Sequence, residues 1–182
     1  MHIDLVALSD QATPEALAAL FAEAAQLATQ DEVISAGVIE AEAGSDFELA
    51  FLFVLRDYAS LELFGTSPMY ARFLQGFVAP VLRLLAGADV RLEGDMPGVA
   101  GRAACLALSA GDETYDWEVS EALNHWTGGL DAAGSVLGMA VGERQRFRGV
   151  GLAFGDEPLA PAKLGGERFK STLIMGKARR LP

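Results

Sequence analysis

The stretch Phe47-Glu48-Leu49-Ala50-Phe51-Leu52-Phe53-Val54-Leu55 decides the fold of this chain. Side chains of a strand alternate between two faces, which puts Phe47, Leu49, Phe51, Phe53 and Leu55 on one side and Ala50, Leu52 and Val54 on the other. Both sides are apolar through the middle of the run. A strand of this kind is covered twice.

Working outward, residues 33–43 read as a strand that a turn at Gly44-Ser45-Asp46 separates from the first. Residues 2–9 alternate Ile3, Leu5 and Ala7 with Asp4, Val6 and Leu8, the period of an opening strand whose second face is apolar beyond Asp4. Thr13-Pro14-Glu15 supplies a capping hydroxyl, a proline suited to the first helical position and a first-turn acid. Leu17, Leu20, Phe21, Ala24, Leu27 and Ala28 recur at spacings of three and four, which predicts a helix to about residue 30. Residues 57–64 predict a short helix broken at Ser67-Pro68. A longer helix kinked at Pro80 then carries Met69, Phe73, Phe77, Val81 and Leu84 on one stripe, and residues 89–93 predict a fourth strand. The order is βαββαβ, that of a ferredoxin-like unit whose helices cover one sheet face and leave the other open. Since the open face is apolar, it packs on a second sheet, from another chain or from the rest of this one.

Gly94-Asp95-Met96-Pro97-Gly98 marks a boundary, after which residues 102–109 restart the strand pattern. Residues 116–126 predict a helix with Val119, Leu123 and Trp126 on one face, ended by Gly128-Gly129. Residues 135–145, 148–154 and 172–178 predict further strands. Leu55-Arg56-Asp57 recurs loosely as Phe154-Gly155-Asp156, and Ala71-Arg72-Phe73 as Glu167-Arg168-Phe169. The expectation is an α+β fold of two ferredoxin-like βαββαβ units in tandem, residues 1–95 and 101–182, packed sheet to sheet as a barrel. The second unit is shorter and divergent, its second helix reduced to a loop through residues 158–166.

Composition narrows the function classes. Fourteen Lys and Arg against 25 Asp and Glu give a net charge of −11, which repels phosphate backbones and anionic lipid and argues against nucleic-acid or membrane partners. The acidity is uneven: residues 1–93 hold 4 basic and 14 acidic residues, net −10, and residues 94–182 hold 10 and 11, net −1. No run approaches the ~20 apolar residues of a membrane helix. The early Asp4 is unlike a secretory signal, and the single Cys105 cannot form an intrachain disulfide, so a reduced, cytoplasmic setting is expected.

The Met1-His2 start, the run from Asp46 to Asp57 and the passage Leu61-Glu62-Leu63-Phe64-Gly65-Thr66-Ser67-Pro68-Met69-Tyr70-Ala71-Arg72-Phe73 together resemble the stress-responsive dimeric α+β barrel domain family, within the dimeric α/β barrel superfamily. Members of that family carry a His-Pro-x-His run where this chain has Ser67-Pro68-Met69-Tyr70. In its plant polyketide cyclase, a first-strand histidine and the second histidine of that run act on the substrate, helped by a tyrosine just upstream. His2 matches the first of these, Tyr70 stands at the second and Phe64 at the tyrosine. The resemblance implies a cavity between sheet and helices and cyclase or monooxygenase-like chemistry without a tightly bound cofactor.

The candidate catalytic residues are therefore His2, as a base, and Tyr70, which donates a hydrogen bond more readily than it accepts a proton near neutral pH. Candidate ligand-binding residues are Phe64 and Phe73 in the first half, with Trp117 and His125 in the second, where Tyr115, Trp117, His125 and Trp126 form the densest aromatic cluster. Trp126 reads as core and His125 as exposed. No metal spacing is present among two His and one Cys, no cofactor signature appears, and Cys105 in an apolar strand reads as an inert core thiol. Gly149-Val150-Gly151 and Gly165-Gly166 do not form a phosphate loop. The expected function is binding of a small, largely apolar or aromatic molecule in the barrel interior, with a homodimer, where one forms, using other surfaces. The alternative is a noncatalytic stress-associated or assembly protein whose apolar faces only pack. Lys177, Arg179 and Arg180 are expected in a solvated tail that reaches the acidic first half of a neighbour.

Overall fold

The structure, a computed structural model, describes residues 1–43, 45–141, 146–161, 163–164 and 168–182. Gly44, Gly165-Gly166, Glu167 and the last four residues of the sixth expected strand lie outside these. The first half comprises β1 (His2–Leu8), α1 (Pro14–Leu27), β2 (Val33–Ala41), β3 (Leu49–Leu55), α2 (Tyr58–Thr66), α3 (Pro68–Arg72) and β4 (Leu82–Leu92). The second comprises β5 (Gly101–Ala110), α4 (Asp116–Gly128), β6 (Gly134–Ala140), β7 (Gly149–Gly155) and β8 (Phe169–Arg180). The strands close into one antiparallel barrel in the order β1-β3-β2-β8-β5-β7-β6-β4. The second sheet that the open apolar face requires thus comes from the same chain.

Local chemistry sets the helix starts. Thr13 accepts from the Ala16 amide and Pro14 opens α1, while Asp57 and Ser67 accept from the Ser60 and Tyr70 amides to cap α2 and α3. The expected long helix ends early. Residues 73–78 widen into a π-turn, 79–81 tighten into a 3₁₀ turn, and Pro80, lacking an amide donor, closes the helical path. Leu84, expected on the helix stripe, lies instead in β4, paired with Ala7 of β1. Long-range pairing outweighs helical periodicity there, and β4 spans 11 residues where five were expected.

β3 separates two cores as its alternation requires. Leu49, Phe51, Phe53 and Leu55 pack beneath α1, α2 and α3, and Ala50 and Leu52 point into the barrel. Phe47 differs from expectation: it precedes the strand and turns into the barrel. The barrel lumen is filled by Ile3, Leu5, Leu52, Phe147, Leu152, Phe154, Ile174 and their neighbours, all buried. The described inner faces thus pack against one another as a core. In the second half α4 buries Val119, Leu123 and Trp126 against the outer face of its sheet, and Gly149 and Gly151 of β7 let it come close, since a Cβ at either would meet Leu123 or Trp126 at 2.8 and 3.1 Å.

The described residues between β7 and β8 contain no helix, as the shortened second half anticipates. Phe154-Gly155-Asp156 closes β7 as Leu55-Arg56-Asp57 closes β3. The second correspondence fails: Phe169 opens β8, while Phe73 opens the π-turn after α3. Lys177, Arg179 and Arg180 form no tail either; they belong to β8, which pairs with β2, and Arg179 bonds to Glu40 at 2.7 Å and lies over the Phe21 ring. No described helix is long and apolar enough to cross a membrane.

The β2–β8 seam leaves no room at Gly176, where a Cβ would sit 1.9 Å from the Glu40 carbonyl oxygen. Gly176→Ala should push the strands apart and cost about 2–3 kcal/mol, lowering the thermal midpoint by roughly 5–10 °C, whereas Gly128→Ala, with open space around it, should leave the midpoint within about 2 °C. Calorimetry on the two variants checks this, and equal midpoints would refute it.

Candidate functional site

The outward face of β1 begins with His2 and Asp4, both turned toward the helices rather than into the lumen. Ser67 and Pro68 start α3 so that Tyr70, one turn in, faces the same strand. Asp89 of β4 stands directly opposite His2 in the antiparallel register. The structure thus brings His2 and Tyr70 together and adds two carboxylates. His2 Nδ1 lies 2.6 Å from Asp89 Oδ1, and His2 Nε2 lies 2.7 Å from Tyr70 Oη and 3.2 Å from Asp4 Oδ2. The Tyr70 hydroxyl donates to Asp4 at 3.0 and 3.1 Å.

One arrangement of protons satisfies all these contacts. With both ring nitrogens protonated, Nδ1–H donates to Asp89, Nε2–H donates to the Tyr70 oxygen, and the Tyr70 O–H donates to Asp4. A neutral ring protonated only at Nδ1 would draw the Tyr70 proton to Nε2 and strip Asp4, 2% exposed, of its donor. Burial pulls the imidazolium down more than any other single influence, but the Asp4 charge, the bond to Asp4, the bond to Asp89 and the Asp89 charge together raise its pKa to about 9. His2 is therefore a cation near neutral pH and has no free lone pair with which to act as a base. Burial first, and Asp4 second, push the Tyr70 phenol far upward, so it stays protonated.

Phe64 and Phe73 take packing roles. Both are fully buried; Phe64 lies 5.0 Å from the Tyr70 ring and 5.8 Å from His2, and Phe73 stacks on Tyr70 at 6.3 Å. They fix the phenol from behind. Trp117 and His125 stand apart from this cluster, on the outer side of α4, lining an open groove of about 620 Å³ with Leu164 and Phe169. Trp117 is exposed and Trp126 buried. The expected residues therefore fall at two places and not one.

Of the charged chain, Asp89 lines a groove of about 310 Å³ beside α2, with Glu62, Tyr58, Leu61, Gly65, Thr66 and Val141. A larger cavity of about 510 Å³, walled by Val54, Leu55, Val90 and Leu92 at the end of the barrel, shares Tyr58, Leu61 and Val141 with it. The two form one cleft between α2 and the barrel wall, in the size range of small-molecule sites.

Sequence reasoning missed Asp4 and Asp89. Asp4 carried a signal, the one acid on an otherwise apolar strand face, two residues from His2 and hence on its side of the strand. Asp89 carried none, because its place opposite His2 depends on the β1–β4 register.

No family model and no curated protein matches this chain. Solved structures do. An anthrone oxidase-like protein is 14% identical with a TM-score of 0.59, over 99% of this chain and 92% of that one. A mutant chlorite dismutase from Candidatus Nitrospira defluvii in complex with cyanide is 11% identical with a TM-score of 0.58, over 99% and 90%. A heme-binding protein from Thermus thermophilus is 13% identical with a TM-score of 0.54, over 97% and 90%. At these identities the likeness is one of fold, a ferredoxin-like α+β barrel.

One of those proteins is a heme-binding protein, and neither His2 nor Cys105 offers a free donor to such a group. Both nitrogens of His2 are engaged. Cys105 is buried in the packed lumen with its thiol pushed by burial up to about 12, so it offers no thiolate. His125, the other histidine, lies on an exposed helix face.

The raised His2 pKa has a signed consequence for stability. The folded value of about 9 exceeds the unfolded 6.5, so the contribution is complete below pH 6.5 and is lost as pH rises through 9, up to about 3 kcal/mol in all. Chemical denaturation at pH 6 and pH 9.5 should show that fall, and an NMR titration of His2 should have its midpoint near 9. A His2 midpoint below 7 would refute the protonated chain.

Proposed function

We propose that this chain is a small-molecule-binding α+β barrel protein of the stress-responsive type, with cofactor-independent cyclase or monooxygenase-like chemistry on a largely apolar, aromatic ligand held between α2 and the barrel wall. The observation that carries the reading is the buried chain Asp4–Tyr70–His2–Asp89 ending in the cleft. In this reading Asp89 accepts a proton from an acidic C–H or O–H of the ligand, and the Nδ1–H of His2 bonds to the same carboxylate. Tyr70 and Asp4 act through His2 by holding the imidazolium in place, which makes them positioning residues. The strand orders β4-β1-β3-β2 and β8-β5-β7-β6 support two ferredoxin-like units in tandem, residues 1–95 and 101–182. Barrel closure within one chain leaves no sheet edge for a partner, so a homodimer would use helix faces.

One observation favours the noncatalytic alternative: both His2 nitrogens are already paired, which is also what a purely structural tie between β1, β4 and α3 would look like. Anthrone, taken from the oxidase-like structural neighbour, separates the two as a neutral tricyclic probe. It should bind the full chain, and Leu61→Trp, which fills the cleft, should weaken binding at least tenfold. Asp89→Asn and Tyr70→Phe should retain binding but slow anthrone oxidation in air at least tenfold. Failure of anthrone to bind would sink the cleft; binding with unchanged oxidation in both variants would leave the noncatalytic reading.

A further inference from the structure

We infer that the cleft selects an amphipathic carboxylate, an apolar or aromatic body bearing one carboxylic acid. The inference rests on the cleft being the ligand site and adds the substrate class. Its starting point is where the acidic half keeps its few cations. Residues 1–93 hold only Arg56, Arg72, Arg83 and Arg91 as basic residues. Arg72 pairs with Glu23 at 3.1 Å and Arg83 with Glu48 at 3.6 Å. The other two both line the 510 Å³ cavity. Arg56 donates to the Asp31 backbone carbonyl at 2.9 Å, and Arg91 makes no ion pair among the described residues.

An acidic half surrounds any cation with carboxylates, so two guanidiniums on the wall of one cavity without a carboxylate at ion-pair distance among the described residues are notable. The acid of this cavity, Asp57, already accepts from the Ser60 amide as the cap of α2, and the cleft's other acids, Glu62 and Asp89, line the adjoining groove, Asp89 paired with His2. The rest of the wall is Met1, Val54, Leu55, Leu61, Val90, Leu92 and Val141 with the exposed ring of Tyr58. An apolar wall with guanidiniums at its rim complements a molecule of the same polarity: a body that leaves water and a carboxylate that meets Arg through paired N–H donors. A neutral molecule would leave that charge unused, and a multiply charged one would be repelled by the −10 of the surrounding half.

A matched pair of probes tests this on the full chain. Naphthalene-2-carboxylate and naphthalene-2-carboxamide share shape and differ in charge. By calorimetric titration the carboxylate should bind about tenfold or more tightly than the amide, and the gap should shrink at high salt. Arg91→Gln and Arg56→Gln, both at exposed positions, should each narrow the preference, and the double variant should abolish it, with amide affinity unchanged. Equal affinity of the two probes for the unaltered chain, or a preference surviving the double variant, would overturn the inference while leaving the cleft intact if anthrone binds. Loss of anthrone binding instead overturns the cleft itself.

Discussion

Closure of the barrel is the constraint on which the rest of this structure depends. A sheet apolar on both faces has to be covered twice, and an exposed edge strand invites pairing with other chains. Here β2 meets β8 and β4 meets β6, so the chain covers its own inner face and keeps no edge. The inner faces then interdigitate into a solid core. The cleft beside α2 opens at the end of this core, where Met1, Val54, Val90 and Leu92 of the inner cluster line it. The long pairing of β4 with β1 sets Asp89 across from His2 beside it.

Within that frame the costly element is charge. Asp4 is almost wholly buried on the helix-covered face, and a carboxylate there is stable only with a cation and donors around it. His2 supplies the cation, Tyr70 the donor, and Asp89 balances the second ring nitrogen at the edge of solvent. Removing one member leaves another buried and unpaired, so the four behave as a unit. A unit of this kind is rigid and holds its proton firmly, which suits a site that orients and polarises more than one that takes protons onto the imidazole. Of the four, Asp89 is the member that lines the cleft.

The sequence made the barrel legible because Phe47 to Leu55 is apolar at both parities, and period-two alternation in the flanking strands gave their faces. What misled was Phe73 to Leu84. Its helical spacing is real up to Val81, but Leu82 onward gains more from pairing with β1 than from one further helical turn, and Pro80 removes the amide that a continuing helix would need. His2 and Tyr70 were legible through a family resemblance. Their carboxylate partners were not, because Asp4 looked like an ordinary strand-end acid and Asp89 acquires its meaning only through register. The role assigned to His2 changed for the same reason: as a lone histidine it reads as a base, and between two acids it is a cation.

The acidic first half and the second half meet in ion pairs at and beside the β2–β8 junction. Glu40, Glu42 and Asp46 of the first half meet Arg179, Arg102 and Lys163 of the second. Each pair is partly exposed and contributes at most about 1 kcal/mol, so none of them holds the barrel together; the packed lumen and the close approach at Gly176 do that. What the pairs contribute is a tie between the halves, from Arg179 on β8, Arg102 on β5 and Lys163 before β8. Arg148 and Arg168 pair within the second half, and Arg72 and Arg83 within the first. Arg56 and Arg91 are the basic residues of that half that make no ion pair among the described residues, though, after the hydrogen bonds from Ser60, the Arg56 charge helps to hold Asp57 below the usual carboxylate range. Their position at the cleft is what turns a composition that discourages phosphate and anionic lipid into one that can still admit a single carboxylate.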